Sequence, residues 1–256
     1  MLGFMTYAAL LPELRDGWGI SNAQAGVVSG MFFAGYVATV SLWTALTDRV
    51  DGRKVYLAGS LIATAASAAF GALVSGFAAA ALCQALLGAG IAATYMPGLR
   101  LLSDRASGPA QSRYVAFYTS FFGIGTALSY AMAGFIAPAF GWRAAFFASA
   151  AGPLLAGVLV YGFLAPVALH KDVAPFSLGT LLPFGAWRRV LAIRAAAGYT
   201  IGYTVHCLEL FGSRAWMVAY LAYATSLHEG ASFPWPAAAI AASGQGKPPP
   251  SRRVVQ

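Results

Sequence analysis

Two clusters of ionisable residues in this chain have the types and spacing to do chemistry. The first, Asp48-Arg49-Val50-Asp51-Gly52-Arg53-Lys54, places five charges in seven residues. The second is Tyr203, His206 and Glu209, spaced by three, with Arg214 following. Residues three apart on a helix project to one broad face. A histidine beside a carboxylate can share or relay a proton near neutral pH. That pair suits proton-coupled work, and it equally suits a hydrogen-bonded pair that holds helices together. Arg214 reads as an interfacial anchor.

The elements that must position these residues are membrane helices. The chain is 59% hydrophobic and 9% charged, whereas a soluble domain carries about a quarter charged residues. Water is therefore not the solvent for most of this surface, and the class is an integral membrane protein. The apolar runs are rich in Ala, Leu, Gly and Phe without period-2 alternation, which selects helices over a membrane β-barrel. The net charge of +8 does not point to nucleic acid, because the basic residues sit in short loops between spans. Cys83 and Cys207 lie in apolar helices and read as buried thiols.

The sequence predicts an all-α, polytopic bundle of about seven transmembrane helices. Residues 1–164 form a six-helix bundle, 165–189 a cytoplasmic linker between halves, 190–225 a seventh helix, and 226–256 an aborted eighth helix with a disordered tail. The first span, 1–14, is short for a bilayer, so either it enters incomplete or the true start lies upstream. Arg15–Asn22 reads as a polar loop with Ser21 as N-cap of the next helix. Spans follow at 23–46, 55–74, 79–102, 114–140 and 144–164. Gly26 and Gly30, Gly90 and Gly98, and Gly123 with Ala127 form small-residue stripes for close helix approach. Pro97 inside the fourth span marks a kink or a packing site. Basic residues (Arg49, Arg53, Lys54, Arg105, Arg113, Lys171, Arg188, Arg189) gather on one side, with only Arg15 and Arg143 opposite. This places the N-terminus in the cytoplasm and the protein in the cell (inner) membrane.

With these motifs in place, the sequence resembles the major facilitator superfamily of secondary transporters. That family carries G-x-x-x-D-R-x-G-R-R/K between its second and third spans. Asp48, Arg49, Gly52, Arg53 and Lys54 match in order, with Thr44 in the glycine place and one extra residue across Val50-Asp51. In the family's R-x-x-x-G-x-G pattern of span four, Gly88 and Gly90 match and Gln84 replaces the arginine. Gly141-Trp142-Arg143 before span six is similar as well. The fifth span lacks the G-P-x-x-G-G ending of the antiporter motif, which argues against drug/proton antiport. The resemblance covers the N-terminal half and the opening of the second, an incomplete major-facilitator fold.

The resemblance implies a secondary transporter that moves a small solute by alternating access, coupled to H+ or Na+. It implies that Asp48 belongs to a conformational latch with Arg49, Gly52, Arg53 and Lys54. Arg100 and Asp104, at the same membrane face, are candidate latch partners or snorkelling residues. Ionisable groups within a span cost ~2.5–3.5 kcal/mol each, so they are functional candidates by default. At ~1.5 Å per residue from a boundary near Ala195, His206 lies near the midplane. Tyr203, His206 and Glu209 are coupling or substrate candidates. Tyr7, Thr94, Tyr95, Tyr118 and Tyr130 are candidates for the cavity wall, where packing is the plainer role.

Other functions fit less well. A retinal protein needs a lysine in its last helix, and residues 190–225 hold none. A membrane enzyme needs a motif such as H-E-x-x-H or G-x-S-x-G, and none is present. The sequence implies no catalytic residue, no metal and no cofactor. The expected partners are the lipid bilayer and an unknown small-molecule substrate. The main alternative is a truncated, non-transporting fragment, or a half-transporter that self-associates or needs a partner half.

Overall fold

The computed structural model describes residues 2–106, 108–167, 179 and 184–227. Among these the helices are α1 (Thr6–Trp18), α2 (Asn22–Leu46), α3 (Gly52–Leu73), α4 (Phe77–Ser103), α5 (Pro109–Phe140), α6 (Trp142–Phe163), α7 (Phe184–Ala192) and α8 (Arg194–Ser226). No strand occurs among the described residues. Five helices, α2 to α6, are long and apolar enough to cross a bilayer. The expected first and seventh spans fall outside that set. α1 has 13 residues, too few for ~30 Å of hydrocarbon. α8 has 33 residues, but Arg194, His206, Glu209 and Arg214 dilute its apolar character.

Several boundaries differ from the sequence reading for identifiable reasons. The first helix starts at Thr6, because Ser129 Oγ takes the amides of Gly3 and Met5 at 3.3 and 3.2 Å. It then continues through Arg15 and Asp16 to Trp18, so the expected polar loop shrinks to three residues. Gly19, at φ 62°, ends it in the left-handed conformation that glycine tolerates best. Ser21 caps α2 in a full capping box: its Oγ accepts from Gln24 N, and Gln24 Oε1 accepts from Ser21 N. The expected helix over 190–225 is broken at Ile193 into α7 and α8. Most of the predicted linker, and the predicted aborted helix and tail from 228 onward, lie outside the described residues.

α4 is the hub of the bundle, packed against α2 on one side and α3 on the other. Glycine makes this possible. A Cβ on Gly88 would lie 1.9 Å from Phe32 O, and one on Gly35 would lie 1.9 Å from Ala85 O. The α2 and α4 backbones therefore touch through a reciprocal pair. Gly59 and Gly90 form a second pair, each with a Cβ position 2.7 Å from the other's carbonyl. Gly90 thus serves close approach as its stripe predicts. The Gly26–Gly30 stripe does not: Gly30 has nothing within 4 Å, and Gly26 only the Trp216 ring at 3.5 Å. Gly26 is nine residues from Gly35, two and a half turns, so it sits on the face of α2 turned away from α4. Gly98 makes room for tyrosines, with its Cβ position 2.5 Å from Tyr118 Oη. Gly123 is half-buried on α5.

The helix ends are held by arginines. The last carbonyls of a helix have no partner within it and carry its negative dipole end. Arg49 Nη1 donates to Ala45 O of α2 at 3.0 Å, and Arg105 Nη1 to Leu101 O of α4 at 2.8 Å. Arg53 Nη1 donates to Leu164 O, just past α6, at 2.6 Å, and Arg105 Nη2 reaches the next carbonyl, Ala165 O. Arg143, in the first turn of α6, donates to Gly71 O of α3 at 2.9 Å. The extra residue in the charged turn has a job too. Asp51 is the N-cap of α3, accepting from Arg53 N at 3.0 Å, and it grips the Arg53 guanidinium at 2.6 Å.

Two predictions follow from this packing. Gly88→Leu should separate α2 from α4 and cost at least the ~1–3 kcal/mol of an overpacked core, seen as a lower thermal midpoint in detergent. Gly30→Leu, on the open face, should change it little. The side-chain hydrogen bond from Arg53 holds the Asp51 carboxyl below its ordinary range. A carboxylate depressed in the folded state stabilises above its unfolded value of ~3.9 and loses that stabilisation as pH falls through the folded one. The thermal midpoint should therefore decline as pH falls below about 4, and Asp51→Asn should flatten that decline while lowering the midpoint at pH 7.

Candidate functional site

Asp48, Thr47, Arg100 and Asp104 form one polar clasp between the ends of α2 and α4. Arg100 Nη1 meets Asp48 Oδ1 at 2.5 Å and Thr47 Oγ1 at 2.9 Å. Its Nε lies 3.7 Å from Asp104 Oδ2, one helical turn on. The sequence motif therefore comes together with Arg100 and Asp104, and it gains Thr47, which motif spacing did not single out. Within the motif, Gly52 packs on Leu101, its Cβ position 2.9 Å from Cδ2. Lys54 is exposed. The side chains of Asp48 and Arg100 are 42% and 30% exposed, so the pair is worth about 0–1 kcal/mol. Its use is to set geometry, not to supply stability.

A chamber of about 330 Å³ lies deeper in the bundle, between the lead-in to α1, α2, α4, α5 and α8. Its wall is aromatic. Phe4 meets Phe32 at 4.7 Å and Phe122 at 5.4 Å between ring centroids, and Phe33 meets Phe211 at 5.0 Å. Tyr36, Tyr95 and Tyr203 supply hydroxyls, and His206 and Cys207 are its titratable groups. The Tyr203 and His206 rings are tilted at 46° to one another, with centroids 6.5 Å apart. A narrow cavity of about 20 Å³ adjoins the chamber, sharing Phe4, Phe32, Phe33 and Phe211. In it Ser29 Oγ and Gln84 Oε1 have no hydrogen-bond partner. A separate cavity of about 280 Å³ lies among Tyr56, Thr94, Tyr95, Tyr114 and Tyr118.

The sequence candidates divide accordingly. Tyr95, Tyr203 and His206 face the chamber. Thr94 faces the separate cavity and gives its hydroxyl to Ile91 O at 2.9 Å. Tyr118 lines that cavity and donates to Tyr95 O at 3.0 Å. Tyr7 touches only the narrow cavity, and its hydroxyl donates to Ala25 O at 3.3 Å. Tyr130 lines neither cavity: it is fully buried, its hydroxyl bound to the Arg214 carbonyl, so it is a packing residue. Glu209 is exposed and does not line the chamber, and no hydrogen bond or ion pair joins it to His206 among the described residues. The spacing of three puts the two on neighbouring helix positions, but their side chains diverge.

Arg214 departs furthest from its sequence reading. It is 5% exposed, not an interfacial anchor. Its guanidinium carbon lies 5.8 Å from the Phe122 ring centroid on the chamber wall. Its Nη1 is buried without a hydrogen-bond partner, and no carboxylate pairs with it among the described residues. Sequence reasoning has no signal for this, because the helix C-terminal to position 214 reads as apolar either way.

Comparisons with known proteins agree with this architecture. The chain is 26% identical to the synaptic vesicle 2-related protein of Bos taurus over 169 residues, which are 66% of this chain and 30% of the relative. It is 27% identical over 171 residues to svop-1 of Caenorhabditis elegans, named as a transporter, covering 66% of this chain and 32% of the relative. It is 26% identical over 133 residues to the synaptic vesicle glycoprotein 2A of Rattus norvegicus, covering 52% and 18%. The chain thus spans about a third or less of the length of these relatives. The profile of the Major Facilitator Superfamily matches residues 1–248, nearly the whole chain. The helical bundle that carries the clasp and chamber is the fold of that family, and the chain belongs to the Major Facilitator Superfamily.

Proposed function

We propose that this chain supplies one wall of a proton-coupled secondary transporter that moves a small solute by alternating access. The observation that carries this reading is the chamber itself. Four elements of the N-terminal bundle converge on it, α8 closes one side, and His206, the one imidazole lining it among the described residues, faces the cavity. Binding sites in such transporters lie near the midplane between two helical blocks. An imidazole can both accept and donate a proton, so it can exchange one with whichever side the chamber faces. The Asp48–Arg100–Asp104 clasp lies at the ends of α2 and α4. It is weak enough to open and close within a transport cycle, as a latch must be. Because the chain covers about a third of its relatives' length, the complete pathway is proposed to need a second helical block, supplied in cis or by a partner half. On the positive-inside argument, the clasp faces the cytoplasm.

Vesicles from cells expressing the chain together with its second block provide the test. Solute uptake should rise with an inward proton gradient. His206→Gln should abolish that dependence while preserving solute exchange at equal pH on both sides. Gradient-dependent uptake unchanged in His206→Gln would remove His206 from coupling. Arg100→Gln should lower the thermal midpoint only slightly, as the ~0–1 kcal/mol of an exposed pair requires, yet slow transport about tenfold or more. A variant equally stable and equally fast would leave the clasp without a role in the cycle.

A further inference from the structure

The aromatic chamber and the 280 Å³ cavity share part of their walls. Along α4 the chamber's lining runs from Ile91 to Met96, and the cavity's from Thr94 to Leu102. Tyr95 and Phe122 line both. Their rings meet edge to face at 6.0 Å between centroids, so this aromatic pair divides one space from the other. The cavity lies on the clasp side of the pair. Leu102 is in the last turn of α4, and Tyr56 and Tyr114 stand near the starts of α3 and α5. From Tyr95 to Leu102 the helix rises about 10 Å. Gly98 lets the cavity's tyrosines lie against α4: a Cβ there would be 2.5 Å from Tyr118 Oη and 3.0 Å from Tyr56 Cε2. Tyr118 in turn donates to Tyr95 O at 3.0 Å and ties α5 to α4 beside the dividing pair. The two spaces are similar in size, about 330 and 280 Å³, so a molecule that fits one fits the other.

The walls limit what both spaces hold. No Asp, Glu, Lys or Arg lines either one among the described residues. A charged solute would shed water there with no counter-charge to meet it. Ring faces attract organic cations, but the buried Arg214 guanidinium, 5.8 Å from the Phe122 ring centroid, opposes one at the dividing pair. A carboxylate finds no cation on either wall. Two of the cavity's hydroxyls are engaged: Thr94 donates to Ile91 O and Tyr118 to Tyr95 O. Those of Tyr56, Tyr95 and Tyr114 make no hydrogen bond among the described residues and are not sealed from open space. A flat uncharged molecule stacks on such rings and exchanges hydrogen bonds with such hydroxyls. Resting on the transporter reading above, we propose that the Tyr56–Thr94–Tyr118 cavity is a second solute site in series with the chamber, that both take the same uncharged aromatic solute, and that Tyr95 and Phe122 form the partition it passes between them.

The test reads binding and no transport, so its failure is distinct from failure of the transporter reading. The full chain is placed in lipid nanodiscs with Cys83, which is buried, replaced by alanine. Cys207 then reports on the chamber wall. Thr94→Cys and Leu102→Cys, each combined with Cys207→Ala, report on the second cavity. Alkylation rates are measured with benzamide, benzoate and phenyltrimethylammonium, which share a ring and differ in charge, and with 1-decanol as a stand-in for a lipid chain. Benzamide at millimolar concentration should slow alkylation at both places several-fold, and the charged rings at neither. A rigid three-ring rod ending in a carboxamide should protect both places in Tyr95→Ala, and in the milder Tyr95→Leu, at about tenfold lower concentration than in the unaltered chain, because the partition is then open. Second-cavity thiols that benzamide does not protect, or that are not alkylated at all, would overturn the proposal. So would equal protection by either charged ring, or rod binding unchanged in both Tyr95 variants. Protection of the second cavity by 1-decanol alone would overturn it as well, by assigning the space to a lipid chain entering past the exposed rims of Phe117 and Phe121.

Discussion

Hydrogen bonding at the helix ends governs this bundle. Lipid offers no partners to backbone groups, so a spanning helix satisfies all but its last carbonyls internally. Arginines in the turns and first helical turns nearby take those carbonyls at the ends of α2, α3, α4 and α6. The arrangement is directional. α2, α4 and α6 end on one face, where Arg49 and Arg105 lie in the turns and Arg53 opens α3. The same cationic side chains that orient the chain in the membrane thus act as caps, each favoured by the negative dipole end it meets. Arg53 links three segments at once, through Asp51 in the α2–α3 turn, its own place in α3 and Leu164 beyond α6.

With the ends pinned, the interior is set by how near the helices come. The paired contacts of Gly35 with Ala85 and of Gly88 with Phe32 draw α4 onto α2 along their middle turns. Gly59 and Gly90 draw α3 in from the other side. What α4 turns away from these contacts, including Tyr95 and Met96, faces the chamber. The lead-in to α1 is fixed separately by a hydroxyl cluster. Ser129 Oγ accepts from two amides, and Thr6 Oγ1 meets Ser149 Oγ at 2.6 Å. This carries Phe4 into the cavity wall, where it touches rings from α2, α5 and α8. The chamber is therefore a gap left by close packing elsewhere, bounded by aromatic side chains too large to fill it.

Much of the fold was legible because it rests on hydropathy and local signals. The spans α2 to α6 follow apolar length, Ser21 follows N-cap chemistry, and the clasp's Asp48 follows the ordered charged turn. Asp51 was legible only as a departure from the motif, and its role as N-cap of α3 depends on backbone geometry the sequence does not carry. Helix faces were harder. The Gly26–Gly30 spacing is the right pattern for close packing, yet α2 presents the opposite face to α4, and nothing local to α2 selects between them. Tyr130 and Tyr7 look like cavity tyrosines until their hydroxyls are found bound to backbone carbonyls. His206 and Glu209 share a helix face by spacing, but a difference of 60° between positions is enough to put one in the chamber and the other outside it.

The charged groups in this bundle sort by what desolvation costs each of them. Asp48 and Arg100 remain partly wet, so their pairing adds little energy and can be broken without leaving a charge stranded. Arg53 and Arg105 reach carbonyls at the membrane edge. Arg214 is different. An ionised side chain within a span costs ~2.5–3.5 kcal/mol on insertion scales, and the described residues return none of it through an ion pair. Proximity to Phe122 returns about 0.5–2 kcal/mol at most, so the balance stays unfavourable. Ser29 and Gln84, also short of partners among the described residues, are neutral and line the small neighbouring cavity. Burial without a partner is therefore a net cost for the Arg214 charge, whereas the other described charges keep water, a carboxylate or a helix-end carbonyl.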